Sequence, residues 1–537
     1  MNALSPSDAP LTGVSSETVR ERLRAGEEIA LLDVREEAPF AAGHPLFAVN
    51  LPLGRIEERV TGLIPRRTAP IVVYDNGEGR ARTAVGLLRQ LGYTNVSVLA
   101  GGLDGWRVSG GELFIDVNVP SKAFGELVEH VRHTPSLSAE EVHARIARGD
   151  DLVILDARRF VEYNTMSIPG GRSVPGGELA LRTRDIAPSP DTTVIVNCAG
   201  RTRSIIGTQS LVNAGLPNPV FALRNGTIGW TLAGFGLDHG ATRKAPDPTE
   251  ENHERARHRA RELAEKTRVR NITAEQLRAL ENETGRTLYR LDVRSPEEYE
   301  VDHLAGFRSA PGGQLVQATD EWIGVRHGTI VLTDTDGVRA RMTGHWLRQL
   351  GWKHVYVLDN WEGLKHATGP EPTLLARPLS PVPVITAEEL ETELTGVTPP
   401  LVLDLATSRT FRAAHVPGAF FILPTDLTAH RRVQNARNVV LTSPDGVAAH
   451  IAALRLEENG VRTRVLKGGS AEWKTAGRPL ASGLTDDNAL SAPIDVYKRP
   501  YEGTDNAREA MQAYLDWEFG LIAQLERDGT HGFSVLE

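Results

Sequence analysis

Cysteine is all but missing. The 537-residue sequence contains one, Cys198, so an intramolecular disulfide, a zinc site built from several thiolates and a redox couple with its own resolving thiol are all excluded. A lone cysteine without further context reads as a small buried hydrophobe. Long apolar runs are missing too. Nothing approaches the roughly 18 uninterrupted apolar residues of a membrane span, so no membrane association is expected. The opening MNALSPSDAPL has neither a basic stretch nor an apolar one, so no secretory leader is expected and a cytoplasmic location is. There is no basic excess: Lys and Arg total 60 against 69 Asp and Glu, a net charge of -9, which argues against a nucleic-acid partner. The 16 His are scattered, with no His-x3-His spacing or carboxylate cluster. Gly77-Glu78-Gly79 is not a convincing nucleotide loop. Neither a metal nor an organic cofactor is expected.

What is present is ordinary globular chemistry, 40% hydrophobic and 24% charged residues, in a chain long enough for about three to five domains of roughly 100–200 residues. Self-similarity divides it. Four segments, Val14-Ser15-Ser16-Glu17, Leu137-Ser138-Ala139-Glu140, Ile272-Thr273-Ala274-Glu275 and Ile385-Thr386-Ala387-Glu388, place Ser or Thr before a helical pattern. Glu141, Gln276 and Glu389 complete a capping box in the last three. An apolar strand ending in Asp33, Asp156, Asp292 or Asp404 follows each. A second buried strand then leads into a helix that stops at Gly92, Gly215, Gly351 or Gly460, always 21 residues after that strand begins. A third short strand follows, and then a Trp: Trp106, Trp230, Trp361 or Trp473. Trp106, Trp230 and Trp473 read as core anchors. Short apolar runs alternating with helices predict small α/β domains with mainly parallel sheets. The repeats span 12–115, 135–241, 271–370 and 383–481, with a helical linker at 242–270 and a tail at 482–537. The mixed charges of the linker predict a solvated helix, with His253 and His258 in water. In the tail, Met511, Tyr514, Leu515, Phe519 and Leu521 predict one amphipathic helix over 507–525. Its apolar face is expected to dock on a domain or on a second subunit, which would make a homodimer.

The turn after the second strand carries the chemistry. In the second repeat it reads Cys198-Ala199-Gly200-Arg201-Thr202-Arg203-Ser204. Aligned on the strand and the downstream Gly, the other repeats place Asp75, Asp334 and Ser443 where Cys198 stands. The interval from the first-strand Asp supports this register: 42 residues in the first three repeats and 39 in the fourth. A strand-to-helix turn gathers inward-pointing N–H groups at the positive end of a helix dipole. A thiol there is expected to ionise readily, helped by nearby guanidinium groups. Gly200 lets the backbone curl. Arg201 and Arg203 are candidates to hold an anion by forked hydrogen bonds. Arg203 is the better of the two, because Arg80 and Arg339 match it. Asp75 and Asp334 would fill the same nest with their own carboxylates and bind no substrate; as plain helix N-caps they would be equally inert.

The repeat plan, Asp156-Ala157-Arg158, Ile168-Pro169-Gly170-Gly171 and the Cys-x4-Arg loop of Cys198 and Arg203 resemble rhodanese-type sulfurtransferase domains, in four tandem copies. The resemblance implies four α/β domains, each a mainly parallel five-stranded sheet with helices on both faces. It implies that Cys198 accepts a sulfane sulfur from a donor, becomes a persulfide and passes the sulfur to a nucleophilic acceptor. Ala199, Gly200, Arg201, Thr202 and Arg203 would then cradle the donor anion and the persulfide. Arg158 would support the loop from the neighbouring strand end, or form a structural ion pair with Asp156 or Glu162. Thiosulfate or a persulfide is the implied donor, and a thiol or cyanide the acceptor. The family's usual His-Ile-Pro-Gly-Ala segment begins here with Ser167, while the cysteine-less repeats keep His303 and His415, so that His reads as structural. Two alternatives stand beside this reading. A cysteine phosphatase or arsenate reductase would need a loop one residue longer. A scaffold would use the repeats for binding alone.

Overall fold

The computed structural model describes residues 11–536; the leader expectation rests on residues 1–10, which lie outside the described residues. Four five-stranded sheets carry the repeats. In the second repeat Ser136–Leu137, Val220–Leu223, Thr193–Asn197, Leu152–Asp156 and Arg172–Ser173 lie side by side in that order, every neighbouring pair parallel. The other three sheets repeat the order and the direction. Strand Thr193–Asn197 shows why the sequence folds this way. Val194 and Val196 pack against Leu179 and Leu211 of helices Leu179–Ile186 and Thr202–Asn213, while Ile195 faces Val142 and Trp230 of helices Ala139–Arg148 and Gly226–Leu232. A strand buried on both faces must be apolar along its whole length.

The punctuation seen in the sequence is made physical. Ser138, Thr273 and Thr386 each accept a bond from the third helical amide, and the side chains of Glu141, Gln276 and Glu389 accept in turn from the cap N–H. Gly92, Gly215, Gly351 and Gly460 take the left-handed conformation that ends their helices. Trp106, Trp230 and Trp473 are buried, and each indole N–H donates to the carbonyl six residues on, at 2.8–2.9 Å. Trp361 does not share this position. It occupies the place held elsewhere by Gly102, Gly226 and Gly469, each of which opens a helix at positive φ. The third repeat has no such glycine and no such helix, and the Trp361 indole donates to Thr333 Oγ1 at 2.6 Å.

The segments between the repeats depart from expectation. Linker helix Glu250–Lys266 is solvated on one side only: Ala256, Ala260 and Leu263 are buried with Leu181, Val338 and Met342 of the second and third repeats, and Ala264 joins the cluster of Val269 and Trp346. His258 is exposed and pairs with Glu262, but His253 Nε2 donates to the Asp336 carbonyl at 2.8 Å. A helix the sequence did not announce, Val119–Arg132, begins after left-handed Asp116 and Asn118 and packs along Thr202–Asn213. The tail forms two helices, Arg508–Phe519 and Leu521–Asp528, divided at Gly520. Met511, Tyr514, Leu515 and Leu521 dock on the chain's own second repeat and on the helix Val119–Arg132 region, whereas Phe519 stays largely exposed.

The repeats pack on one another. One apolar cluster runs through the first and third, where the Tyr289 hydroxyl donates to the Leu63 carbonyl at 2.7 Å. The second and third meet at Gly177 and Gly313; a Cβ on Gly313 would stand 2.8 Å from the Gly177 nitrogen. The fourth leans on the first, where buried Glu57 receives Arg455 of the fourth repeat and Arg377 of the segment before it. Among the described residues no helix is long and apolar enough to cross a membrane.

Candidate active site

Cys198 begins the turn between strand Thr193–Asn197 and helix Thr202–Asn213. The turn is tied to the next crossover: Cys198 C=O accepts from Thr227 N–H at 2.9 Å and Ala199 C=O from Ile228 N–H at 3.0 Å. Gly226 is obligatory there, because a Cβ would strike the Cys198 carbonyl oxygen and stand 2.7 Å from that of Gly200. The thiol lies 3.5 Å from Ser204 Oγ, which in turn donates to the Arg201 carbonyl at 2.8 Å.

The other repeats fill the same position with oxygen. Asp75 accepts from Gly77 N–H and, six residues on, from Ala81 N–H at 2.9 Å. Asp334 does the same with Gly337 and Ala340, and Ser443 Oγ accepts from Ala449 N–H at 3.3 Å. In the second repeat the corresponding sixth residue is Ser204, whose backbone N–H favours the thiolate. The alignment made from sequence is therefore one of chemical position as well as of register.

The thiol is not the open, readily ionised group expected from the turn alone. Cys198 is 2% exposed. Burial pushes its pKa up; the Arg203 charge and the Ser204 bonds oppose this without overcoming it. The cover comes from the tail. Tyr501, Met511, Tyr514 and Leu515 pack on Ala199 and Ile228. A Cβ on Gly200 would meet the Tyr514 ring at 3.2 Å and Glu518 Oε2 at 3.5 Å. The surroundings are not purely hydrocarbon, since Ser204, Arg203 and the Glu518 carboxyl all bear on the thiol.

The arginines are already engaged. Arg203 is buried, not solvated, and grips both oxygens of Glu162 on helix Phe160–Thr165 at 2.9 Å. Despite burial, which acts the other way, Arg203 holds the Glu162 carboxyl well below the usual range. Arg339 grips Glu298 in the third repeat in the same manner, at 2.6 and 2.7 Å. Arg201 turns away from the nest. Its guanidinium binds Glu126 at 2.6 and 2.8 Å, reaches Glu129, and lies 4.3 Å over the Phe519 ring. Arg201, the second candidate for the anion, is held instead by two carboxylates of helix Val119–Arg132 that no motif places at this site. Thr202 is buried against Gly125 of that helix. Arg158 takes the structural alternative, a fork on Asp156 at 2.8 and 2.7 Å completed by the Met166 carbonyl. Arg35 and Arg294 repeat it on Asp33 and Asp292. His303 and His415 stack on Tyr299 and Phe411, 3.7 and 3.8 Å away, and bond local carbonyls, in keeping with a structural role.

Comparison with known proteins now bears on the geometry. The rhodanese-like domain family matches residues 15–109, 138–233, 273–362 and 386–476. The chain belongs to the rhodanese-like family. The crystal structure of thiosulfate sulfurtransferase from Pseudomonas aeruginosa superposes with a TM-score of 0.94 at 52% identity, over 98% of this chain and 100% of that one. A sulfurtransferase of Allochromatium vinosum is 32% identical over 93 residues, 17% of this chain and 85% of that protein. The thiosulfate sulfurtransferase PspE of Escherichia coli is 33% identical over 72 residues, 13% of this chain and 68% of that protein. The four sheets are thus four rhodanese domains in tandem, and the rhodanese loop with a thiol is that of the second.

Proposed function

We propose that this four-domain rhodanese is a sulfurtransferase with one centre, Cys198. The observation that carries the reading is the position of the chain's sole thiol. It stands where the other three domains place an oxygen that accepts an amide six residues downstream. Such a position suits an anion. The Cys198 thiolate attacks the outer sulfur of thiosulfate or of a persulfide. The donor's S–S bond breaks, sulfite or a thiolate departs with the electron pair, and a cysteine persulfide remains. An acceptor nucleophile, a thiol or cyanide, then attacks the outer sulfur and releases Cys198 as thiolate. With no second cysteine in the chain, discharge must be to an external acceptor. A chain without disulfides suits a reducing, cytoplasmic setting in which thiol acceptors are plentiful. The tail must part from the loop for donor to enter.

A second reading, a non-catalytic scaffold, is favoured by one observation: the buried thiol with its raised pKa. Mass spectrometry after brief incubation with thiosulfate separates the two. The sulfurtransferase gains about 32 Da on Cys198, one sulfur atom as covalent catalysis requires, and cyanide removes it. Cys198→Ala gains nothing and has no turnover. A wild-type protein that takes up no sulfur from thiosulfate or from a small persulfide is the scaffold.

A further inference from the structure

The tail does more than cover the loop. Glu518, on helix Arg508–Phe519, is fully buried. Its Oε1 accepts from the Tyr514 hydroxyl at 2.8 Å. Its Oε2 is buried and makes no bond, and it lies 3.5 Å from where a Cβ on Gly200 would stand. The nearby cations are spent elsewhere: Lys122 Nζ holds Asp116 at 2.8 Å, and Arg201 holds Glu126 and Glu129. An unpaired buried carboxyl is costly. Tyr514 alone does not account for it, because a bond to Oε1 leaves Oε2 pointing at the loop with nothing to receive.

Resting on the reading of Cys198 as a sulfur carrier, we propose that Glu518 is the proton acceptor for the incoming acceptor thiol. Once R–SH has entered and the tail has closed again over the loaded loop, its proton passes to Glu518 Oε2. The thiol sulfur attacks the outer sulfur of the Cys198 persulfide. The bond between that sulfur and Cys198 Sγ breaks, and its electron pair stays on Sγ as thiolate beside Arg203. The acceptor leaves as a persulfide, and Glu518 returns its proton to water. The sulfur passes on at its sulfane oxidation level, so no oxidant or reductant is needed.

The charge environment suits a base that becomes free to accept a proton as pH approaches 8. Burial raises the Glu518 carboxyl to about 8, with Lys122 and Arg201 lowering it, Glu126 raising it and the Tyr514 bond lowering it. Tyr501 and Asp116 act on the adjoining Tyr514, and Cys198 itself is raised by Glu518. This residue came from no sequence motif; 320 residues separate it from the loop it faces.

The test uses the full-length protein, loaded with thiosulfate and desalted, in single-turnover discharge. The acceptors are 2-mercaptoethanol, which carries a proton at neutral pH, and sulfite at pH 8, which carries almost none. Glu518→Gln keeps the Tyr514 bond and is expected to slow discharge to the thiol at least tenfold while sulfite discharge stays within twofold or quickens. The wild-type thiol rate should show an inflection near pH 8 that Glu518→Gln lacks. Tyr514→Phe, which removes a bond that favours the carboxylate, should move that inflection to higher pH. Equal slowing with both acceptors, no slowing with either, or an unmoved inflection in Tyr514→Phe overturns the proposal. Failure of the wild type to load sulfur at all would instead overturn the reading of Cys198.

Discussion

Arg201 and Arg203 stand two residues apart and end in different chemistry. Arg203 lies beside the thiol, and its charge is felt there; Arg201 is consumed by Glu126 and Glu129. A guanidinium placed between two carboxylates has no spare capacity for a dianion, and removing it strands Glu126 in a buried site. Arg201→Gln is therefore expected to lower stability by about 3–5 kcal/mol, read by urea denaturation. Adding Glu126→Gln should recover part of the loss. The KM for thiosulfate in Arg201→Gln should stay within twofold; a tenfold rise would restore Arg201 as a substrate ligand. Gly226 makes the complementary case. Its side chain is a hydrogen because the loop carbonyls leave room for nothing larger, and its φ is +54°. Gly226→Ala is expected to cut sulfur loading at least tenfold, measured as mass gain, by pushing the backbone of residues 198–200 out of register.

At the scale of elements, each domain is a strand, a turn and a helix whose turn offers amides to one side chain. That side chain is carboxylate, thiol, carboxylate and hydroxyl in chain order. The strand that ends in Asp33, Asp156, Asp292 or Asp404 carries a second recurring device, an Asp that three domains pair with the Arg two residues on. The fourth has Ala406 in that place, and Asp404 is left buried with one oxygen unbonded. Burial raises its pKa to about 7. A carboxyl raised in the folded state binds its proton more tightly there than in the unfolded chain. Its contribution is fully present below the unfolded pKa and declines as pH rises through about 7. Asp404→Asn should therefore gain about 1–3 kcal/mol over the wild type at pH 8 relative to the same comparison at pH 5, measured from chemical denaturation at the two pH values. An equal difference at both would contradict the burial argument.

At the scale of the molecule, the surroundings of the Cys198 loop are assembled from distant chain. The second domain supplies the thiol, helix Val119–Arg132 supplies the partners of Arg201, and the tail supplies the roof. The tail also ties domains together, through Arg527 to Glu112 and Ser534 N–H to the Gln349 carbonyl. Access to Cys198 should follow local opening of helix Arg508–Phe519. Alkylation of Cys198 and hydrogen exchange in that helix are expected to speed up together in Leu515→Ala, each by at least tenfold. Faster exchange with unchanged alkylation would mean that the thiol is reached by another route.

The division of labour between sequence and structure follows from the range of the interactions. Capping boxes, terminal glycines, buried strands and the four-fold repeat are made by residues close in the chain, and all could be read directly. The position of Cys198 in the turn was legible for the same reason, since a strand-turn-helix unit is local. Burial of that thiol, neutralisation of Arg201 and the presence of Glu518 over Gly200 depend on segments far apart in sequence. No periodicity or spacing records which helix will lie across which loop. The sequence by itself determined four parallel-sheet domains and a single thiol, in the turn of the second. Only the tertiary structure decided what that sulfur faces, because desolvation and charge pairing are set by neighbours in space rather than in the chain.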